Sequence, residues 1–138
     1  MSAGQCLLSM GEYKDALNHF YHAQYLKPEK KDALRAVAWT ELLAKEYQKS
    51  GSHYESLISD TGKGDKSDFL NAAHGALAIG DYKKALALYK NYIKNSDNKN
   101  ITDLVIAFRD DAEILKQLGI KTSDLRLIVD KIRYDLIS

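Results

Sequence analysis

The sequence predicts an all-α protein built as a stack of antiparallel helix hairpins. The stretch at residues 78–92, AIGDYKKALALYKNY, has earlier copies at 9–23, SMGEYKDALNHFYHA, and at 43–57, LAKEYQKSGSHYESL. Each copy has the pattern of a helix end, a tight turn and a second helix that opens on a Tyr. The turns are separated by 34 and 35 residues, a period typical of helix–turn–helix repeats. A hairpin of this kind cannot bury its apolar face alone, so the period indicates a stacked array.

Small and aromatic residues recur at fixed places around these turns. A small residue lies within each first helix, and each second helix carries a Tyr at its start, a small residue, and then a bulky aromatic residue. In chain order these four sets are Gly4, Ala38 and Ala73; Tyr13, Tyr47 and Tyr82; Ala16, Ser50 and Ala85; and Phe20, Tyr54 and Tyr89. Small residues let two helices approach closely, and the aromatic residues fill the space between hairpins.

The turn residues themselves predict where the first helices end. Gly11 and Gly80 can take the left-handed cap conformation at little cost. Lys45 stands at that place in the middle copy, which predicts either a small backbone strain or a looser turn. Pro28 disfavours helix at Lys27 and favours a new helix after it.

These residues resemble the tetratricopeptide repeat (TPR) family over roughly residues 1–95. The resemblance implies a right-handed superhelical stack with repeats at about 1–30, 31–65 and 66–98, within a single domain that spans 1–138. The opening positions of the first repeat are absent before Gly4. We therefore expect a C-terminal fragment of a bacterial-type TPR protein; the alternative is a natural terminus with a frayed helix.

The helices are expected at residues 13–25, 30–44, 47–60, 67–79 and 82–95, followed by 101–118 and 123–137. The last two resemble an irregular capping pair at 101–138, because a terminal repeat must turn one side to water. Helix 101–118 places Leu104, Phe108, Ala112 and Leu115 on one face, although Asp111 departs from the family pattern. Helix 123–137 carries an apolar stripe of Leu125, Ile128, Val129, Ile132 and Leu136, with Thr122 or Ser123 as its N-cap.

Composition argues against several classes of function. The formal net charge of +1 offers no long-range attraction for nucleic acid. The sequence shows neither a signal peptide nor an apolar run near 18 residues, so we expect no membrane span and favour a cytoplasmic protein. The lone Cys6 excludes an internal disulfide and fits either a reducing compartment or indifference to redox state.

The sequence contains no strong motif for a catalytic, metal-binding or phosphate-binding site. Asp15, His19 and His22 have a spacing that could present metal ligands on one helix face, but a solvated face is the favoured interpretation. The Gly-Lys-Gly at 62–64 follows a helix and lacks the Walker spacing, so it indicates a linker. We expect no enzyme activity, no metal and no cofactor.

The resemblance implies that the first helix of each repeat lines a concave groove. The groove residues expected to bind a partner protein or peptide are Arg35, Trp39, Leu42, Leu70, Asn71, His74 and Leu77. The carboxylate clamp of the chaperone-binding members is absent, because its positions hold Met1, Gln5, Ala36, Ser67 and Asn71. An Hsp70 or Hsp90 tail is therefore not the expected ligand.

Two hypotheses for function follow. The first is a non-catalytic interaction scaffold that holds a peptide or helix around Trp39. The second is a structural terminal module of a larger repeat protein whose groove is filled by its own helix at 123–137. If the chain is a fragment of a longer repeat protein, the face with Leu7, Leu8 and Met10 is uncovered, which predicts concentration-dependent self-association.

Overall fold

A computed structural model describes residues 13–26, 31–59 and 65–137. These residues are helical for about 85% of their length and contain no strand. The eight helices are α1 (Tyr13–Leu26), α2 (Lys31–Leu43), α3 (Tyr47–Ser59), α4 (Lys66–Ala78), α5 (Tyr82–Asn95), α6 (Ile101–Asp110), α7 (Ala112–Gln117) and α8 (Thr122–Ile137). The all-α class is confirmed, and the helix limits agree with the expected ones to within a residue, except where the helix at 101–118 divides in two.

The chain forms two compact units, Met1–Gly64 and Asp65–Ser138. In the first unit α2 packs against both α1 and α3. In the second unit α4 pairs with α5, and α6 contacts α5, α7 and α8. Helices that are consecutive in the chain therefore pack in pairs, as a helical repeat requires. A single continuous domain over 1–138 stays a prediction.

Three hairpin corners share one backbone geometry. Lys45, Gly80 and Gly119 have φ values of 64°, 84° and 77°. At each corner this residue's N–H donates to the carbonyl three residues back, and the next N–H donates to the carbonyl five residues before it, with N···O distances of 2.8–3.0 Å. This is the Schellman motif. Lys45 thus takes the strained left-handed conformation rather than a looser turn, while Gly11 lies outside the described residues.

Small residues bring the two helices of each hairpin together, as expected. Ala38 and Ala73 on the first helices are completely buried, and so are Ser50 and Ala85 on the second helices. The Ser50 hydroxyl donates to the carbonyl of Ala38 at 2.8 Å, so the two positions meet across the α2–α3 interface. Close approach of the backbones is therefore confirmed in this hairpin by a direct contact.

The aromatic positions complete this packing. Tyr54 and Tyr89 are buried, whereas Phe20 is half-buried. Gly4, the small residue of the first copy, lies outside the described residues. At the start of the second helices, Tyr47 is half-buried and Tyr82 is exposed. Burial is thus confirmed for Tyr54 and Tyr89, and the filling of the space between hairpins stays a prediction.

The prediction of one helix over residues 101–118 is wrong at Asp111. This residue lies between α6 and α7 with φ −94° and ψ 9°, just outside the helical region. The backbone ladder nevertheless continues through it, since its N–H donates to Ala107 and its carbonyl accepts from Leu115. The Asp111 side chain is bonded to His74, which accounts for an acidic residue at this place.

The apolar stripe of α8 is buried only in its middle. Ile128 and Ile132 are fully buried, whereas Leu136 is exposed. Thr122 and Ser123 lie inside the helix, so the predicted N-cap is wrong. The carboxylate of Asp124 instead accepts the N–H of Lys121, the residue before the helix, at 3.2 Å.

Candidate functional site

The predicted groove residues of the first unit lie on α2. Leu42 is completely buried in the core, whereas Arg35 and Trp39 are half-buried. Arg35 and Trp39 are one turn apart and therefore share a face of the helix. The Arg35 guanidinium lies 3.4 Å from the exposed carboxylate of Asp32. This face thus combines part of a large aromatic surface with a charged group.

The predicted groove residues of the second unit lie on α4 and are mostly interior. Leu70, His74 and Leu77 are buried, and only Asn71 is half-buried. A side chain must present surface to contact a partner, so Asn71 is the member of this group that can do so. The assignment of all seven residues to one groove stays a prediction.

His74 forms the centre of a buried polar cluster in the second unit. Its side chain is 0% exposed, its Nδ1 lies 2.7 Å from the Tyr89 hydroxyl, and its Nε2 lies 3.0 Å from the Asp111 carboxylate. A carboxylate only accepts, so Nε2 donates to Asp111, and in the neutral ring Nδ1 accepts from Tyr89. Burial, followed by the nearby Asp111 charge, raises the pKa of Tyr89 well above its usual value. His74 is therefore a core hydrogen-bonding histidine and not the edge of an open groove.

Aromatic packing encloses this cluster. The Phe108 ring meets the Tyr89 ring edge to face, with centroids 5.1 Å apart and planes at 89°. This geometry is favourable for aromatic pairs. One residue in the sequence indicated this cluster: Asp111 is an acidic residue at a position where the family pattern does not expect one.

A second polar cluster joins the three helices that the structure describes in the first unit. Glu41 on α2 is 0% exposed, its Oε2 accepts from the Tyr21 hydroxyl of α1 at 2.6 Å, and its Oε1 lies 2.6 Å from Nδ1 of His53 on α3. Burial and the hydrogen bond to Glu41 raise the pKa of Tyr21. The sequence signal for this cluster was a Glu beside Val37, Ala38 and Leu42, which form the buried face of the helix.

The buried polar groups of both clusters are hydrogen-bonded within the protein. Every buried side-chain nitrogen and oxygen in the part of the chain that the structure describes has a hydrogen-bond partner. A fully satisfied buried polar network fixes how its helices pack.

The remaining residues singled out from the sequence lie apart from both clusters. Asp15, His19 and His22 are exposed on α1. Across residues 13–26, 31–59 and 65–137, no three metal-binding side chains are grouped to hold an ion. Over the same ranges, none of the helices combines the length and hydropathy needed to cross a membrane. Cys6 and the N-terminal apolar residues lie outside the described residues.

Comparisons with family models, with curated proteins and with solved structures returned no match to this chain. The resemblance to tetratricopeptide repeats therefore depends on the repeated residues themselves and on the hairpin geometry that they form.

Proposed function

We propose that this protein is a non-catalytic interaction scaffold of the tetratricopeptide type, which binds a peptide or a helix of a partner protein on the concave side of a right-handed superhelical stack. Support for the repeat type comes from the three equivalent corners and from the small residues buried between paired helices. Such arrays present their first helices side by side as an extended binding surface.

The observation that carries the proposal is the half-buried Trp39 on the first helix of its hairpin. Trp and Arg are the residues that most often dominate the energy of protein interfaces. Arg35 lies one turn away, beside Asp32, and gives the same helix face a polar edge. The partner segment is thus expected to present an apolar side chain to Trp39.

Asn71 gives the second unit a corresponding polar contact. It is half-buried on α4, the first helix of the next hairpin. An Asn side chain both donates and accepts, so it can bond to the backbone of an extended peptide without regard to sequence. This pairing of an apolar anchor with a backbone-reading amide is suited to peptide recognition.

The packing of α8 inside the second unit supports its role as a cap in the proposed stack. Its buried residues Ile128 and Ile132 face the core of the second unit, where α8 contacts α5 and α6. In the proposed stack these contacts are those of a cap on the last hairpin.

The test is a lysate pull-down with the intact chain beside Trp39→Glu and Asn71→Glu, followed by mass spectrometry. Leu127→Glu is the matched control, because Leu127 is an exposed apolar residue of α8 outside the predicted groove. Circular dichroism establishes that each variant folds. Loss of a Trp hot spot costs about 2 kcal/mol or more, so Trp39→Glu should weaken binding of the captured protein roughly 30-fold or more.

A protein that binds the intact chain and Leu127→Glu, and is lost from both groove variants, supports the proposal. Equal capture by all folded variants would refute the groove as the binding surface.

A further inference from the structure

Helix α8 turns two large apolar side chains away from the core of the second unit. Leu127 and Tyr134 are 57% and 62% exposed. They are two helical turns apart, so they lie on one face of the helix. The buried residues Ile128 and Ile132 lie roughly 100–160° further round the helix. A helix that caps a repeat array is expected to be polar on the side that faces water, so this apolar outer face is suited to a contact.

Two opposite charges lie between these apolar residues. Asp130 and Lys131 are both exposed, and the spacing places them on either side of the line from Leu127 to Tyr134. Along the chain the face is apolar, acidic, basic and apolar. Read in reverse it is apolar, basic, acidic and apolar, which pairs each charge with its opposite. The face is therefore complementary to a second copy of itself that runs in the other direction.

The ion pairs of α8 leave an excess of positive charge beside Lys131. The Asp135 carboxylate accepts from the Lys90 ammonium at 2.6 Å and lies 3.2 Å from the Lys131 ammonium. One carboxylate thus faces two cations. Asp130 belongs to none of the ion pairs within residues 13–26, 31–59 and 65–137. A second copy can therefore bring the carboxylate of its Asp130 to this excess charge.

We propose that the α8 face formed by Leu127, Asp130, Lys131 and Tyr134 binds a second copy of this chain, with the two α8 helices antiparallel about a two-fold axis between Asp130 and Lys131. Leu127 then packs on Tyr134 of the second copy, and Asp130 meets Lys131 of the second copy. The symmetry makes each contact twice. A parallel pair would set each charge against the same charge of the second copy, which is unfavourable.

The size of this face sets the strength of the dimer. α8 has 16 residues, a length of about 24 Å. One face of two such helices is smaller than the standard protein interface of roughly 1,600 Å². Most of the binding energy comes from the apolar contacts, since exposed ion pairs contribute little and mainly determine direction. We therefore expect a reversible dimer with a Kd in the micromolar to millimolar range.

The test is sedimentation equilibrium of the full chain at concentrations up to the millimolar range, where the mean mass should rise from monomer towards dimer. Leu127→Glu should weaken association at least about tenfold, because it replaces an apolar contact by a charge at both symmetric positions. Ile79→Glu is the matched control and should associate like the intact chain, since Ile79 is 56% exposed at the α4–α5 corner. Circular dichroism establishes that each variant folds.

Two outcomes of this experiment overturn the proposal. One is an intact chain that stays monomeric over the whole range, which would leave the face to a different protein. The other is a folded Leu127→Glu variant that associates as strongly as the intact chain, because the contact then lies elsewhere, as at the predicted N-terminal face. The proposal is independent of the predicted groove, so loss of the dimer should leave capture of a groove partner unchanged.

Charge reversal tests the antiparallel direction. Asp130→Lys sets Lys against Lys and Lys131→Asp sets Asp against Asp, so each variant alone should associate several-fold more weakly than the intact chain. In a parallel pair like charges already meet, and neither reversal would change association. An equimolar mixture of the two variants should recover association, because each Lys then meets an Asp. Unchanged association of the single variants, or a mixture no more associated than its components, refutes the antiparallel pair.

Discussion

Lys45 holds a conformation for which glycine is better suited, so replacing it with glycine should stabilise the first unit. Its φ of 64° is left-handed, and the two equivalent corners of the second unit carry glycine. A side-chain-bearing residue in this conformation loses about 1–2 kcal/mol. Glycine loses about 0.5–1 kcal/mol more than alanine in chain entropy on folding. The expected net gain for Lys45→Gly is therefore about 0.5–1 kcal/mol.

The reverse substitution should have the opposite sign in the second unit. Gly80 has φ 84°, and a Cβ built on it meets no atom within 4 Å. Gly80→Ala should therefore destabilise by the same ~0.5–1 kcal/mol, because the backbone strain exceeds the chain entropy that alanine saves and no steric clash is added. A change of this size corresponds to a shift in Tm of roughly 2–5 °C for a chain of this length.

Urea unfolding monitored by Trp39 fluorescence measures the effect at Lys45, and a thermal melt monitored by circular dichroism measures that at Gly80. Lys45→Ala is the control, because alanine suffers the same strain as lysine and should leave stability unchanged. If Lys45→Ala stabilises as much as Lys45→Gly, the lysine side chain and not the backbone is responsible. Such a result would refute the reasoning, as would a loss of stability in Lys45→Gly.

Two further predictions concern buried polar groups of the second unit. Tyr89→Phe leaves Nδ1 of His74 without a donor in the core and should lower the free energy of unfolding by about 1–3 kcal/mol. A thermal melt measures this loss. The control is Tyr82→Phe, which changes an exposed ring and should leave stability nearly unchanged. Hydrogen bonds from the α5–α6 connection lower the pKa of Asp103 from 3.8 to about 2. The ionised Asp103 carboxylate therefore stabilises the fold fully at pH values above the ordinary carboxyl pKa. This stabilisation is lost as the pH falls towards about 2. An NMR titration of the Asp103 carboxyl carbon checks this, and a midpoint near 4 would contradict it.

The sequence predicted the hairpins because their signals are local and repeat. The helix starts at Tyr47 and Tyr82 and the left-handed corner at Gly80 each depend on a few adjacent residues. The burial of Ala38 against Ser50 follows from the same repeat, since the period places them on facing helices. Elements of this kind are predictable because local preference and packing agree.

The polar clusters were not predicted, because they join residues that no periodic pattern relates. Tyr21 and His53 reach Glu41 across separations of 20 and 12 residues, and the three residues belong to three helices. A Glu on an apolar face was visible in the sequence, but its partners depend on how α1 and α3 lie on α2. The burial of His74 was not predicted for the same reason. Its hydrogen-bond partner Asp111 lies between α6 and α7, far from His74 in the sequence.

The common corner geometry also determines how a protein of this kind can change in length. Each corner is closed by backbone bonds that reach back three and five residues, so one inserted residue would break both bonds. The connection between α5 and α6 is closed by the Asp103 side chain, which accepts from Ser96 and Asn98 and sets no such strict count. Whole hairpins can thus be gained or lost between such connections, while the hairpin itself keeps a constant length. We therefore expect insertions of a whole hairpin to be tolerated better than insertions of a single residue at a corner.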